Sequence, residues 1–454
     1  MKVAVLVAEI GSTTTVVNAF DGIGGPCPRF VGQGQAFTSV LQGDVTVGLK
    51  GAVEDLKGNL GVSELQWDEM LATSSAAGGL RMSVHGLVYD MTVRAAKEAA
   101  LGAGGILKHV TAGKMRRTDL KKISEIKPNI ILVAGGVDYG ERDTALHNFE
   151  LVAELGLDIP VIYAGNVENQ EEIEEIAQEK GIRLYLVENV YPKVDQLNVE
   201  PTRSVIQQVF EEHIIHAPGM TTVRDMVDGP ILPTPGAVME AAKVLKEAIG
   251  DLVVFDVGGA TTDVHSVTEG SEEVSRLLIS PEPEAKRTVE GDLGVFVNRY
   301  HVVENVGREE LLKDFPDLDE LLEKATAIPG DDRSRQFSER LAEEAMIMSL
   351  QRHAGTLRHL YGASGKRTIA EGKDLTEVKY IVGTGGALTR LPRHREILAK
   401  AAGYGKGLEL YPKKDAKVLV DNHYIMASLG VLSKRYPEDA VALMLSSLDW
   451  ENEK

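Results

Sequence analysis

The chain has 454 residues, 43% of them hydrophobic and 26% charged, which is long enough for two to four domains with full cores and excludes a disulfide- or metal-stapled miniprotein. Its 68 acidic residues against 49 Lys and Arg leave a net charge of -19, which argues against nucleic acid as a partner but still permits a small anion held by backbone N–H groups and a metal. The single cysteine, Cys27, excludes an internal disulfide, suits a reducing compartment and is expected to be inert between Pro26 and Pro28.

From the N-terminus, Val3 to Ala8 is a continuous apolar run ended by Glu9-Ile10-Gly11-Ser12-Thr13. It reads as a buried strand and not a signal peptide, since Glu9 follows at once and no cleavage pattern does. Similar runs follow at Ile130 to Ala134, Pro160 to Ala164, Leu184 to Val187, Leu252 to Val257 and Tyr380 to Val382. Short, Val- and Ile-rich runs bounded by Gly predict strands covered on both faces. All are too short to span a bilayer, so the expectation is a cytoplasmic chain with no membrane partner. Helical periodicity lies between them. Asn169 to Lys180 sets Ile173, Ile176 and Ala177 on one stripe before Gly181, and Ala237 to Ile249 ends at Gly250. Met346 to Leu360 predicts a further helix. The alternation predicts an α/β protein. Residues 1–250 form a first domain, with an α/β insertion at about 124–200, and residues 251–454 form a second.

One long-range echo carries the chemistry. Glu9-Ile10-Gly11-Ser12-Thr13-Thr14-Thr15 and Asp256-Val257-Gly258-Gly259-Ala260-Thr261-Thr262-Asp263 each follow a strand, with an acid at the strand end, then glycine, then hydroxyl residues. Glycine lets backbone N–H groups close on an anion, and Ser and Thr add donors. The carboxylates make sense only with a cation between them and the phosphate, and Mg²⁺ with retained waters fits. The first turn alone is equally readable as a plain strand-loop corner. The second, with two carboxylates and two hydroxyls in eight residues, is hard to explain by packing. A third turn, Gly383-Thr384-Gly385-Gly386, follows the strand at Tyr380, and side-chain-free backbone there suits a nucleoside.

Two phosphate turns, one per half, and a late Gly-Gly turn resemble the actin, hexokinase and Hsp70 ATPase superfamily. The resemblance implies two ribonuclease-H-like domains around an ATP cleft. It assigns Gly11, Ser12 and Thr13 to a first phosphate loop, Gly258, Gly259, Thr261 and Thr262 to a second, and Gly385 and Gly386 to adenosine. Asp256 and Asp263 would hold the magnesium waters, with Glu9 standing where the superfamily usually has Asp. The small-residue stretches Ala95 to Gly105 and Tyr424 to Leu432 fit its two crossing helices, the latter packing back on the first domain. More narrowly, Asp256 to Ser266, Gly229-Pro230-Ile231-Leu232-Pro233-Thr234-Pro235, Lys286 to Gly294 and Ala76-Ala77-Gly78-Gly79-Leu80 resemble the MutL/GlmL family, accessory proteins of adenosylcobalamin-dependent glutamate mutase and related aminomutases. What this implies is an ATP- and Mg²⁺-dependent reactivating chaperone, a slow ATPase whose partners are mutase subunits, with a homo-oligomer left open.

Glu290, near Arg287 and Asp292, is a candidate to orient the attacking water, and Arg287 to neutralise phosphate; a loop held by ordinary salt bridges is the competing reading. The eleven histidines, including His213 and His216, show no zinc spacing, and no Asp-x-His-x-x-Gly cobalamin motif occurs. A small-molecule kinase of the same superfamily, a hydantoinase- or oxoprolinase-like enzyme and a nucleotide-binding scaffold without turnover remain as alternatives.

Overall fold

The computed structural model describes residues 1–11, 13–39, 44–75, 80–214, 220–362, 365–405 and 407–450. The chain divides into two compact units, Met1–Met239 with Ser280–Pro283, and Glu240–Ile279 with Glu284–Lys454.

In the first unit, β1 (Lys2–Ile10), β2 (Thr14–Asp21) and β3 (Arg29–Phe37) form an antiparallel meander. β4 (Gln66–Ser74) adds parallel to β1 on its other side. The chain then leaves this sheet and builds a second, wholly parallel one from β5 (Leu80–Gly86), β6 (Gly105–Ala112), β7 (Ile130–Val133), β8 (Val161–Tyr163) and β9 (Leu184–Leu186), in the order β6-β5-β7-β8-β9. It returns with β10 (Ile231–Pro233), which pairs parallel to β4 and completes the order β10-β4-β1-β2-β3.

The apolar runs at Ile130, Pro160 and Leu184 are thus β7, β8 and β9. Their alternate residues serve two cores. Ile130 and Leu132 pack in the same core as β1, whereas Ile131 and Val133 pack under the helices Asp143–Glu154 and Gln170–Lys180 with Phe149 and Ile173. Burial on both faces is why β7 and β8 read as unbroken apolar runs; β9 departs from that expectation, since it lies at the sheet edge, only half-buried and with Leu186 exposed. β5 and β6 belong to the same sheet but carry buried Ser83 and His85 and the partly buried His109 and Thr111, so no apolar run marks them. His85 is held by hydroxyls instead: Nδ1 lies 2.8 Å from Thr111 Oγ1 and Nε2 3.1 Å from Ser83 Oγ. Burial, with the neighbouring His109, drops its pKa to about 3 and keeps the ring neutral.

The second unit repeats the first sheet's plan. β11 (Leu252–Val257), β12 (Thr262–Val267) and β13 (Ala285–Glu290) form an antiparallel meander. Apart from this sheet, β14 (Thr356–Gly362) and β15 (Gly365–Glu371) make a two-stranded hairpin. β16 (Tyr380–Thr384) and β17 (Lys417–Val420) then add parallel on the other side of β11, giving β13-β12-β11-β16-β17. Two sheets with the same order and the same mixture of directions are the paired ribonuclease-H-like arrangement expected of an actin/Hsp70-type fold.

Val253, Phe255, Val257 and Val264 bury one face of this second sheet in a core shared with Leu341, Ala345 and Leu350 of a long helix. That helix corrects one expectation. It spans Asp332–His353, not Met346 to Leu360, and Asp331 caps it by accepting from Ser334 N at 3.0 Å. Ala354 is extended, and Thr356 opens β14. His353 ends the helix buried, between Ser266 Oγ at 2.8 Å and Thr288 Oγ1 at 2.9 Å.

Candidate functional site

The first turn joins β1 to β2. Glu9 sits opposite Val16 and Ile10 opposite Thr15, and Gly11 N donates to Thr14 O at 3.0 Å. A Cβ at Gly11 would fall 2.5 Å from that same oxygen, so the turn can only be this tight with glycine there. Thr38 N donates to Thr13 O at 3.0 Å, and the Thr15 and Thr38 hydroxyls lie 2.9 Å apart. Glu9 is buried, its Oε1 accepting from Asn18 Nδ2 at 3.3 Å, and Gln33 Nε2 in turn donates to Asn18 Oδ1 at 2.8 Å. Ser12 lies outside the described residues, as do Ala76 to Gly79 and His216.

The second turn joins β11 to β12 and carries more. Asp256 and Asp263 are direct cross-strand partners, so both carboxylates project from the same sheet face. Between them Gly258 N donates to Thr261 O at 2.9 Å. Residues 293–298 strap this turn. Val295 N donates to Gly258 O at 3.2 Å, Phe296 N and Val297 N both donate to Gly259 O at 2.9 and 2.7 Å, and Asn298 Nδ2 donates to Ala260 O at 2.7 Å. Thr262 Oγ1 donates to Leu293 O at 2.7 Å. The sequence reading missed Asn298 and this strap, because its donors are mostly backbone groups with no residue-type signature.

The third turn meets the second. Gly385 opens the helix Gly385–Arg390 with φ 82°, and a Cβ there would lie 2.3 Å from Asp256 Oδ1 and 2.7 Å from Val257 N. Both the left-handed backbone and the contact demand glycine. Gly386 has open space around it. Just before, Thr384 Oγ1 donates to Asp421 Oδ2 at 3.0 Å. Asp421 is wholly buried and also accepts from Ile425 N, Met426 N and Ser447 Oγ at 2.9, 2.8 and 2.6 Å. Burial nonetheless pushes its pKa up. It ties the Gly-Gly turn to the helix Met426–Leu432, a role that no sequence motif announces.

Asp256, Asp263, the Gly258 to Thr262 turn and Gly385 are therefore assembled within the second unit. The charged residues nearby are arranged differently from the sequence expectation. Arg287, the bulkiest fully buried side chain described, spends its guanidinium on Asp263: Nε donates to Oδ1 at 2.8 Å, and Nη2 donates to the same oxygen. Asp263 Oδ2 accepts from Thr261 Oγ1 at 3.2 Å. Glu290 pairs across the strands with Thr262, and its carboxylate accepts from Arg352 at 2.6 Å. The same arginine holds Asp292 at 2.7 and 2.8 Å, which lowers the Asp292 pKa to about 2. His265 follows Asp263 on the same strand face and opposes Arg287. It is fully buried with neither ring nitrogen hydrogen-bonded among the described residues, and burial, then Arg287, holds it neutral.

Carboxylate and hydroxyl oxygens are the donor types that suit Mg²⁺, which is bound through one or two carboxylates plus phosphate and water and not by an all-protein cage. Asp256 fits that use; Asp263 faces it across the strands but already holds Arg287 and the Thr261 hydroxyl. Among the described residues no group of three His, Cys, Asp or Glu side chains is arranged as a metal cage. No helix described is long and apolar enough to cross a membrane.

A family described as MutL protein matches residues 5–448. Protein MutL of Clostridium tetanomorphum is 36% identical over 462 aligned residues, covering 97% of this chain and 98% of that one. Among solved structures, nucleotide-free acetone carboxylase is similar with a TM-score of 0.40 and 13% identity, covering 95% of this chain and 70% of that one. A nucleotide-free diol dehydratase-reactivating factor is similar with a TM-score of 0.35 and 11% identity, covering 96% of this chain and all of that one (100%).

Proposed function

The chain belongs to the MutL protein family, and on that premise we propose that it is an ATP-dependent reactivating chaperone for an adenosylcobalamin-dependent aminomutase such as glutamate mutase. The observation that carries this reading is the assembly in the second unit: Asp256 opposite Asp263, a strapped Gly-Gly-Ala-Thr-Thr turn between them, and Gly385 seated on Asp256. In it the N–H groups of Gly259, Ala260 and Thr261 and the Thr261 hydroxyl would meet phosphate, while Gly258 N and the Thr262 hydroxyl hold the turn through Thr261 O and Leu293 O. Asp256, with Asp263 once Arg287 releases it, would hold the waters of a magnesium ion, and the open space at Gly386, beside Gly385, would leave room for the nucleoside. In the first unit, taken by itself, Gly11, Ser12 and Thr13 are assigned as a phosphate loop with Glu9 as its acid. Bound magnesium would neutralise phosphate charge during transfer to water. Glu290 would orient that water once Arg352 yields it. A cytoplasmic location belongs to the same reading.

The test is a mutase inactivated with hydroxocobalamin, incubated with this protein, Mg-ATP and fresh adenosylcobalamin. Activity returns with ATP and not with a non-hydrolysable analogue. If no aminomutase recovers under any nucleotide condition, the client assignment is wrong. One observation favours a second reading, nucleotide binding without turnover: Arg287 already neutralises Asp263. Phosphate release from Mg-ATP separates the two, and release that depends on an added hydroxyl compound would indicate a kinase instead.

A further inference from the structure

Among the described residues three histidines are buried to 2% exposure or less, and two of them satisfy both ring nitrogens with hydroxyls: His85 with Thr111 and Ser83, and His353 with Ser266 and Thr288. His265 is the exception. It is 0% exposed, and neither ring nitrogen has a hydrogen-bond partner among the described residues. A buried polar group left in that condition costs stability, so its presence points to a partner in another state of the protein.

The register indicates that partner. On β12, Asp263 and His265 are two residues apart and project from the same sheet face. On β13, Arg287 stands directly opposite His265, whereas Asp263 stands opposite Val289. Directly opposed side chains start about 5 Å apart at Cβ and diagonal ones about 7–8 Å. Arg287 nevertheless reaches along the diagonal, and its Nε and Nη2 both donate to Asp263 Oδ1 and not to the imidazole that faces it. Charge decides this, because a carboxylate is a stronger acceptor for a guanidinium than a neutral ring. The balance turns once Asp263 is drawn off to the phosphate site. The guanidinium then loses a charged acceptor while its side chain stays 1% exposed. The unprotonated nitrogen of His265 lies one side-chain spacing along the same face and can accept from it.

We infer that His265 is a positioning residue that accepts from the Arg287 guanidinium when Asp263 turns away, so that Arg287 exchanges between two buried acceptors as nucleotide binds. This rests on the nucleotide-site reading above. The experiment compares the full-length wild type with His265→Leu and His265→Gln. Leucine removes the acceptor at similar volume, and the glutamine carbonyl restores one. Three measurements are made: calorimetry of ADP in magnesium and in EDTA, urea unfolding without nucleotide, and ring nitrogen-15 spectra of the wild type. The His265 signals are those missing from the His265→Gln spectrum. The expected result is that His265→Leu is at least as stable as the wild type yet binds Mg-ADP about tenfold more weakly. Its affinity in EDTA is unaltered, and His265→Gln recovers most of the loss. In the wild type, the accepting nitrogen moves upfield when Mg-ADP is added. A stability loss in His265→Leu, or a weakening that is equal in EDTA or not recovered by glutamine, gives the ring a packing role and overturns the exchange. An unmoved nitrogen signal also overturns it, since an ordered water held in every state would give that result. Metal-dependent ADP binding that is unaltered in His265→Leu overturns the exchange alone. A wild type that binds ADP equally in magnesium and in EDTA overturns the nucleotide-site reading with it.

Discussion

Gly385 lies so close to Asp256 that a methyl group there would fall 2.3 Å from the carboxylate oxygen Oδ1. The contact locks the Gly-Gly turn after β16 to the acid at the end of β11. Gly385→Ala meets both this clash and a φ of 82°, so it should cost about 1–3 kcal/mol, read as a lowered urea midpoint. Gly386→Ala has open space and should stay within about 0.5 kcal/mol while still weakening ADP binding. Equal stability of the two variants would contradict the geometry.

The buried Arg287–Asp263 pair predicts a strongly coupled double-mutant cycle. Arg287→Met leaves Asp263 as an uncompensated buried carboxylate, a loss of about 3–5 kcal/mol. Adding Asp263→Asn should restore a good part of it. Additive losses in urea unfolding would mean that the two side chains act independently.

Nucleotide binding should depend on divalent metal. The Asp256 carboxylate repels ATP unless a cation intervenes, Asp263 being already paired with Arg287, so calorimetry with EDTA should show affinity falling by more than about tenfold. Asp263→Asn, read on protein shown by circular dichroism to be folded because Arg287 loses its buried partner, should slow hydrolysis far more than it weakens binding, because phosphate charge redistributes mainly in the transition state. Unaltered affinity in EDTA would remove the metal from the site.

The Arg352 grip on Asp292 has a pH signature. Its folded pKa of about 2 lies below the ordinary 3.8, so the pair's stabilisation is present above the ordinary value and lost as pH falls through the folded one. Asp292 is partly exposed, and the effect should be no more than about 1 kcal/mol. Arg352→Gln should be less stable than the wild type at neutral pH, with the gap closing as the pH is lowered. A constant gap across that range would rule out the linkage.

Much of this was legible in the sequence wherever chemistry needed a compact string of residue types. The Asp256 to Asp263 stretch placed a strand, a turn and two facing acids, because glycine and hydroxyl residues between buried strands have few other uses. Gly385 was legible as a turn, but its contact with Asp256 was not, since 129 positions separate them in the chain and only the β11–β16 pairing brings them together. Arg287 was singled out, yet its partner followed from register: β13 runs antiparallel to β12 and sets Arg287 diagonally from Asp263. β5 and β6 were hidden because buried histidines and hydroxyls interrupt them. The helix Asp332–His353 was misplaced because its first half is polar and its end is fixed by His353 meeting Ser266 and Thr288, contacts from distant strands.

The parallel sheet β5–β9 is spliced into the connection between β4 and β10, which pair directly; Thr73 and Thr234, 161 positions apart, lie with their hydroxyls 3.2 Å from each other. Closing so long a loop from a disordered chain would cost about 2–3 kcal/mol more than closing ten residues. Once the spliced sheet has formed, only β7 and β8 separate its entry strand β5 from its exit strand β9, so the span still to be closed is much shorter and part of that cost disappears. The edge strand β10 is thus set to arrive last, making synthesis of the first unit a nested process. A defect such as Phe149→Ala, far from any phosphate turn, would then act as a kinetic lesion: it would delay closure of the sheet that carries Glu9 and leave the edge of β4 unpaired while the chain waits.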